Sequence, residues 1–140
     1  TIAHSITLGL SVFSIISLPQ ATVEALIALT IVYLALEISK SNLKLKTPWM
    51  MAFGFGLLHG LGFASALMDI GIANNQMFLS LLFFNIGIEL AQIVLIPIPL
   101  FFIYLSKRFD LSNHLKILTS YSIGGMGFYW FIDRVIGMIQ

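Results

Sequence analysis

Polar residues along this chain are too far apart to make one wet face on each helix. Apolar residues instead run in five stretches, at about residues 2–18, 21–39, 49–68, 77–106 and 115–136. Roughly 20 apolar residues in a helix, at 1.5 Å each, cross a hydrocarbon layer about 30 Å thick. Each stretch reaches or approaches that length. The pattern therefore predicts an all-α fold, a polytopic transmembrane bundle of about five antiparallel helices in a single domain.

The breaks between the stretches carry turn chemistry. Pro19 and Gln20 end the first, and Thr22 is placed to cap the start of the second. Pro48 enters the third. Pro97 and Pro99 fall inside the fourth, where missing backbone donors predict a kink in its last third. The linkers are short, which predicts antiparallel neighbours in an up-and-down bundle.

Composition sharpens this picture. The chain is 59% hydrophobic and 9% charged over 140 residues, with a mean hydropathy of +0.99, whereas a soluble domain carries about 25% charged residues. There is no cysteine, which excludes disulfides, thiolate metal sites and cysteine nucleophiles. No phosphate loop is present, and no nucleic-acid partner is expected.

The charges are distributed unevenly. Lys40, Lys44 and Lys46 follow the second stretch, and Lys107, Arg108 and Lys116 follow the fourth. The linker between Asp69 and Gln76 has no basic residue. Alternating spans put both basic loops on one face, which the positive-inside rule makes cytoplasmic, with the C-terminus outside. The expected location is the bacterial inner membrane. The opening at Thr1 is already apolar and lacks the basic start of a signal peptide. It is read as the inside of a helix, with an upstream helix and soluble domain expected before it.

Ionisable groups inside a bilayer cost at least about 2.5–3.5 kcal/mol on insertion scales, so four residues require a reason: His4, Glu24, His59 and Glu89. His59 adjoins a stripe of small residues, Ala52, Gly56, Gly60 and Ala64, that lets another helix approach closely. It should face protein, either as an interhelical hydrogen-bond partner or as a ligand. Gly62 and Gly87 are further close-packing points. Asn85, Glu89 and Gln92 share a helical face, where the amides could hold a neutral carboxyl or support a cation-bound one. His4 is followed by Ser5 and Thr7, whose hydroxyls can bond back to their own helix. Glu24 is either an acid favoured by the helix dipole or a cation-attracting group at the outer mouth. Glu37 is read as a solvated end group, Asp133 and Arg134 as a pair, and the run from Phe128 to Phe131 as an interfacial belt.

These pieces predict two imidazoles and one carboxylate converging at mid-membrane, with Glu24 nearer the outside. Nitrogen and oxygen donors of this kind suit nickel, cobalt or zinc better than calcium or magnesium; copper stays open as well. Three mixed ligands also fit a passage that must both capture and release its ion.

Four segments carry a resemblance: Thr1–Leu8, Val23–Tyr33, Phe53–Ser65 and Phe84–Gln92, with a closing Gly127–Arg134. In this order they resemble the HupE/UreJ family, closest to its branch with an extra-cytoplasmic domain ahead of the membrane part. The resemblance implies a nickel or cobalt permease. It puts His4, Glu24, His59 and Glu89 on the cation path, with Asn85, Gln92 and Ser5 in support. It also implies an earlier helix bearing an Asp-His pair.

The leading expectation is therefore a non-enzymatic transporter for a divalent transition-metal ion. Its partners would be the lipid bilayer, the metal ion, and a second copy or its own upstream domain. Two readings compete. One is an intramembrane metal-dependent hydrolase using the same histidines, with Ser5 or a metal-bound water as nucleophile. The other is a membrane anchor or assembly subunit whose polar residues only hold helices together.

Overall fold

A computed structural model of the chain describes residues 2–40, 48–69 and 76–139. Six helices occur among these residues: α1 (Ile2–Val12), α2 (Gln20–Ser39), α3 (Pro48–Asp69), α4 (Met77–Leu95), α5 (Pro97–Arg108) and α6 (Ser112–Gly137). Helices α4 and α5 are two parts of one rod. Ile96 between them keeps a helical backbone, and its N–H donates to the Gln92 carbonyl at 2.9 Å. The break falls at the prolines, which cannot donate to the preceding turn. The all-helical bundle expected from the pattern is thus present. Of the described helices, Gln20–Ser39 and the continuous Met77–Arg108 meet length and hydropathy requirements for crossing a membrane.

The first helix departs from expectation. It ends at Val12, not near Leu18, and is about 16 Å long at 1.5 Å per residue. Its end is a Schellman motif. Ser14 takes a left-handed φ of 57°, the Ile15 N–H donates to the Leu10 carbonyl at 2.9 Å, and the Ser14 N–H to the Ser11 carbonyl at 2.9 Å. Hydropathy carries no trace of this stop, because Ile15, Ile16 and Leu18 continue the apolar run. Asp110, with φ 56°, ends α5 the same way, with the Leu111 N–H on the Ser106 carbonyl at 2.7 Å. Helix α2 begins at Gln20, so Thr22 lies inside its first turn. The Thr22 hydroxyl lies 3.8 Å from Met138 Sδ and makes no cap.

Packing order differs from chain order. The closest helix pairs are α2 with α6 and α1 with α3, followed by α2 with α3, while α1 and α2 share no interface. The irregular stretch after Val12 carries the chain across to α2, so the short linker does not impose a hairpin. Directions follow from the side-chain pairs. Gly56 meets Ala3 and Gly60 meets Thr7, so α1 and α3 run parallel. Glu24 meets Arg134 and Ala35 meets Ser120, so α2 and α6 run antiparallel. Tyr33 on Phe55 and Ile27 on Gly62 make α2 and α3 antiparallel. These directions fit alternating rods.

Two seams hold the bundle. In the first, a Cβ at Gly60 would collide with Thr7 Oγ1 and the His4 carbonyl. Thr7 donates to the Leu57 carbonyl at 2.7 Å across the same contact. In the second, Gly127 lets Ile31 approach α6, where a Cβ would lie 2.9 Å from Ile31 Cγ2, and Ser120 donates to the Ala35 carbonyl at 2.6 Å. Small residues and hydroxyl bonds are what joins helices where burial from water supplies no force. Leu8, Val12, Ala64, Leu67 and Leu81 form a further apolar cluster between α1, α3 and α4. Large side chains such as Phe78, Phe83, Ile93, Phe101 and Tyr104 cover the outside of α4 and α5 and are exposed.

Lys44, Lys46, the Asp69–Gln76 linker between 70 and 75, and Thr1 lie outside the described residues.

Candidate functional site

His59 sits midway along α3, half-buried. Its Nδ1 lies 2.8 Å from the carbonyl oxygen of Phe55, one turn earlier. In a neutral imidazole that bond holds the proton on Nδ1 and leaves the Nε2 lone pair free, which is the tautomer a ligand or proton acceptor needs. The small residues around it set its environment. Gly62 admits Ile27 and Val23 of α2, where a Cβ would lie 2.6 Å from Ile27 Cδ1.

Because α2 comes so near, it brings a carboxylate to the same hollow. Gln20, Glu24, Ile27 and Ile31 of α2, His59, Gly62 and Phe63 of α3, and Trp130 of α6 line a cavity of about 280 Å³. Gln20 Nε2 donates to Glu24 Oε1 at 2.8 Å. Arg134 Nε, on α6, lies 3.0 Å from Glu24 Oε2 and 3.6 Å from Asp133 Oδ2. The contact with Glu24 is short, yet its N–H is not directed along a hydrogen bond. It is therefore mainly a charge–charge attraction. Asp133 and Arg134 do pair as the sequence suggested, but the nearer partner is Glu24.

His4 sits on α1, packed against Phe63 of α3. It is 8% exposed, and its Nε2 has no hydrogen-bond partner. Its ring stands edge-on to Phe63, with centroids 5.5 Å apart, and Phe63 also lines the cavity. The Ser5 hydroxyl donates to Asn85 Oδ1 at 2.6 Å, and Asn85 Nδ2 to the Leu81 carbonyl at 2.9 Å. These bonds join α1 to α4.

Glu89 and Gln92 do not reach this region; both are exposed on α4. Asn85, expected to support Glu89, is used by Ser5 and Leu81. Gly87, expected as a packing point, has nothing within 4 Å of its notional Cβ. Among the described residues, no three His, Cys, Asp or Glu side chains are grouped to hold a metal ion. The structure thus brings His59 together with Glu24, whereas the sequence pattern suggested Glu89.

Sequence reasoning missed Gln20, Trp130 and the reach of Arg134 to Glu24. Gln20 was read as a turn residue and Trp130 as interfacial. Their shared address depends on α2 and α6 being antiparallel, which no local pattern encodes. A second, more polar hollow of about 150 Å³ was also missed; Ser11, Ser14, Ser17 and Gln20 line it at the end of α1.

A family model described as HupE / UreJ protein matches residues 1–134. No curated protein and no solved structure matches the chain. The matched span includes every helix that lines the cavity, with Arg134 as its last residue, and the all-helical, apolar architecture agrees with it. The chain is a membrane protein and belongs to the HupE/UreJ family, whose members are associated with nickel and cobalt.

Proposed function

We propose that this protein is a permease that passes a divalent transition-metal ion, nickel or cobalt, through the cavity between α2, α3 and α6. One observation carries the reading: a carboxylate from α2 and an imidazole with a free nitrogen from α3 face the same hollow inside an apolar bundle. An oxygen and a nitrogen donor suit ions of this class. An incomplete set of protein ligands suits passage, since water or successive groups complete the shell and the ion is not trapped. His4, behind Phe63, is the next nitrogen along the way.

Transport is favoured over hydrolysis by the use of the Ser5 hydroxyl as an interhelical donor to Asn85 Oδ1. With both basic loops placed in the cytoplasm of a bacterial inner membrane, Gln20, Glu24 and Arg134 stand at the outer mouth and the ion enters there. The exposed apolar surface of α4 and α5 suits contact with lipid.

The test is uptake of Ni²⁺, Co²⁺ and Zn²⁺ into proteoliposomes containing the full-length protein. Wild type is expected to accumulate Ni²⁺ or Co²⁺, and His59→Ala and Glu24→Gln are expected to lose most of it. Uptake equal to that of empty liposomes, or unchanged in both variants, refutes the reading.

A further inference from the structure

Arg134 holds the carboxylate that a cargo ion would use. Its Nε lies 3.0 Å from Glu24 Oε2, on the carboxylate that lines the cavity. A carboxylate cannot give full charge both to a guanidinium and to a divalent ion, so the two cations compete. Three features make the guanidinium displaceable. Its N–H is not directed along a hydrogen bond to Glu24. Its side chain is 42% exposed, against 17% for Glu24. A second carboxylate, Asp133 Oδ2, stands 3.6 Å away and is more exposed, at 52%.

We propose that Arg134 is a tethered counter-cation that guards the cavity, moving from Glu24 to Asp133 when a divalent ion takes Glu24. This rests on the permease reading above. The latch keeps the Glu24 carboxylate compensated while no ion is bound. It also selects by charge: a divalent ion attracts the carboxylate more strongly than a guanidinium does, whereas a monovalent ion has no such advantage. Arg134 is a positioning residue in this scheme and does not touch the ion.

The consequences have opposite signs at adjacent positions. Arg134→Gln removes the competitor and tightens Ni²⁺ and Co²⁺ binding by about fivefold, the scale of a part-exposed ion pair. Asp133→Asn removes the alternative seat, keeps Arg134 on Glu24 and weakens binding a few-fold. In the double variant Asp133→Asn has no further effect, because there is no guanidinium to seat.

Titration calorimetry of the full-length protein in nanodiscs with Ni²⁺ and Co²⁺ measures all three, with Glu24→Gln as reference. Tighter binding by Arg134→Gln, with the effect of Asp133→Asn lost in the double variant, supports the latch. If wild type binds and Glu24→Gln weakens it, but Arg134→Gln binds equally or more weakly, the latch is overturned and the permease stands. Asp133→Asn weakening binding equally with and without Arg134 also overturns it, since Asp133 then acts only by attracting cations. Absence of binding in both wild type and Arg134→Gln overturns latch and permease together.

Discussion

His59 Nδ1 lies 2.8 Å from the carbonyl oxygen of Phe55 on the same helix, while Glu24, which lines the same cavity, belongs to α2. The imidazole is therefore oriented by its own helix, and its partner is delivered by another. A histidine held in this way keeps its tautomer when neighbouring groups change.

Replacing His59 with Ala should therefore abolish function with little damage to the fold. Only one intrahelical side-chain bond is lost, a net loss of about 1 kcal/mol. Ni²⁺ uptake by proteoliposomes should fall to the empty-vesicle rate while the melting temperature in detergent falls by only a few degrees. A variant that unfolds would show His59 to be structural.

Glu89 supplies the contrast. Because it is exposed on α4 and away from the cavity, Glu89→Gln should change Ni²⁺ affinity by less than about twofold, whereas Glu24→Gln should weaken it by about tenfold or more, as expected for a ligand charge near ε ~20. Equal losses in a calorimetric titration would put α4 on the ion path.

Gly60 and Gly87 should separate equally sharply. A Cβ at Gly60 collides with Thr7 and the His4 carbonyl, while one at Gly87 meets nothing within 4 Å. Gly60→Ala should destabilise by about 1–3 kcal/mol through overpacking. Gly87→Ala should be neutral or stabilise by up to about 1 kcal/mol through helix propensity. Unfolding of both variants in the same detergent compares them directly.

Ser5 and Asn85 join α1 to α4 at 2.6 Å. A double-mutant cycle with Ser5→Ala and Asn85→Leu should return a coupling of about 0.5–1.7 kcal/mol, the range for interhelical bonds in membrane proteins. Additive effects would mean that α1 and α4 are held by the Leu8 and Leu81 cluster alone.

Much of this protein was determined by sequence alone. Continuous apolar runs dictated rods, because a backbone in hydrocarbon satisfies its own polar groups only as helix. Pro97 and Pro99 located the break between α4 and α5, and the stripe through Gly56 and Gly60 announced a close helix contact. His59 and Glu24 stood out because an ionisable group in an apolar run costs too much to be incidental.

Tertiary structure decided what those residues meet. Periodicity assigns a face to each helix but not the helix that face meets, so Glu89 looked the partner for His59 and Glu24 a group nearer the outside. With α1 ended after Val12, α2 packs against α3 and α6, and that arrangement put Glu24 and His59 around one hollow, with Arg134 against Glu24. The stop lies in a backbone angle at one serine and the pairing in contacts between residues far apart in the chain, neither of which leaves a mark on local hydropathy.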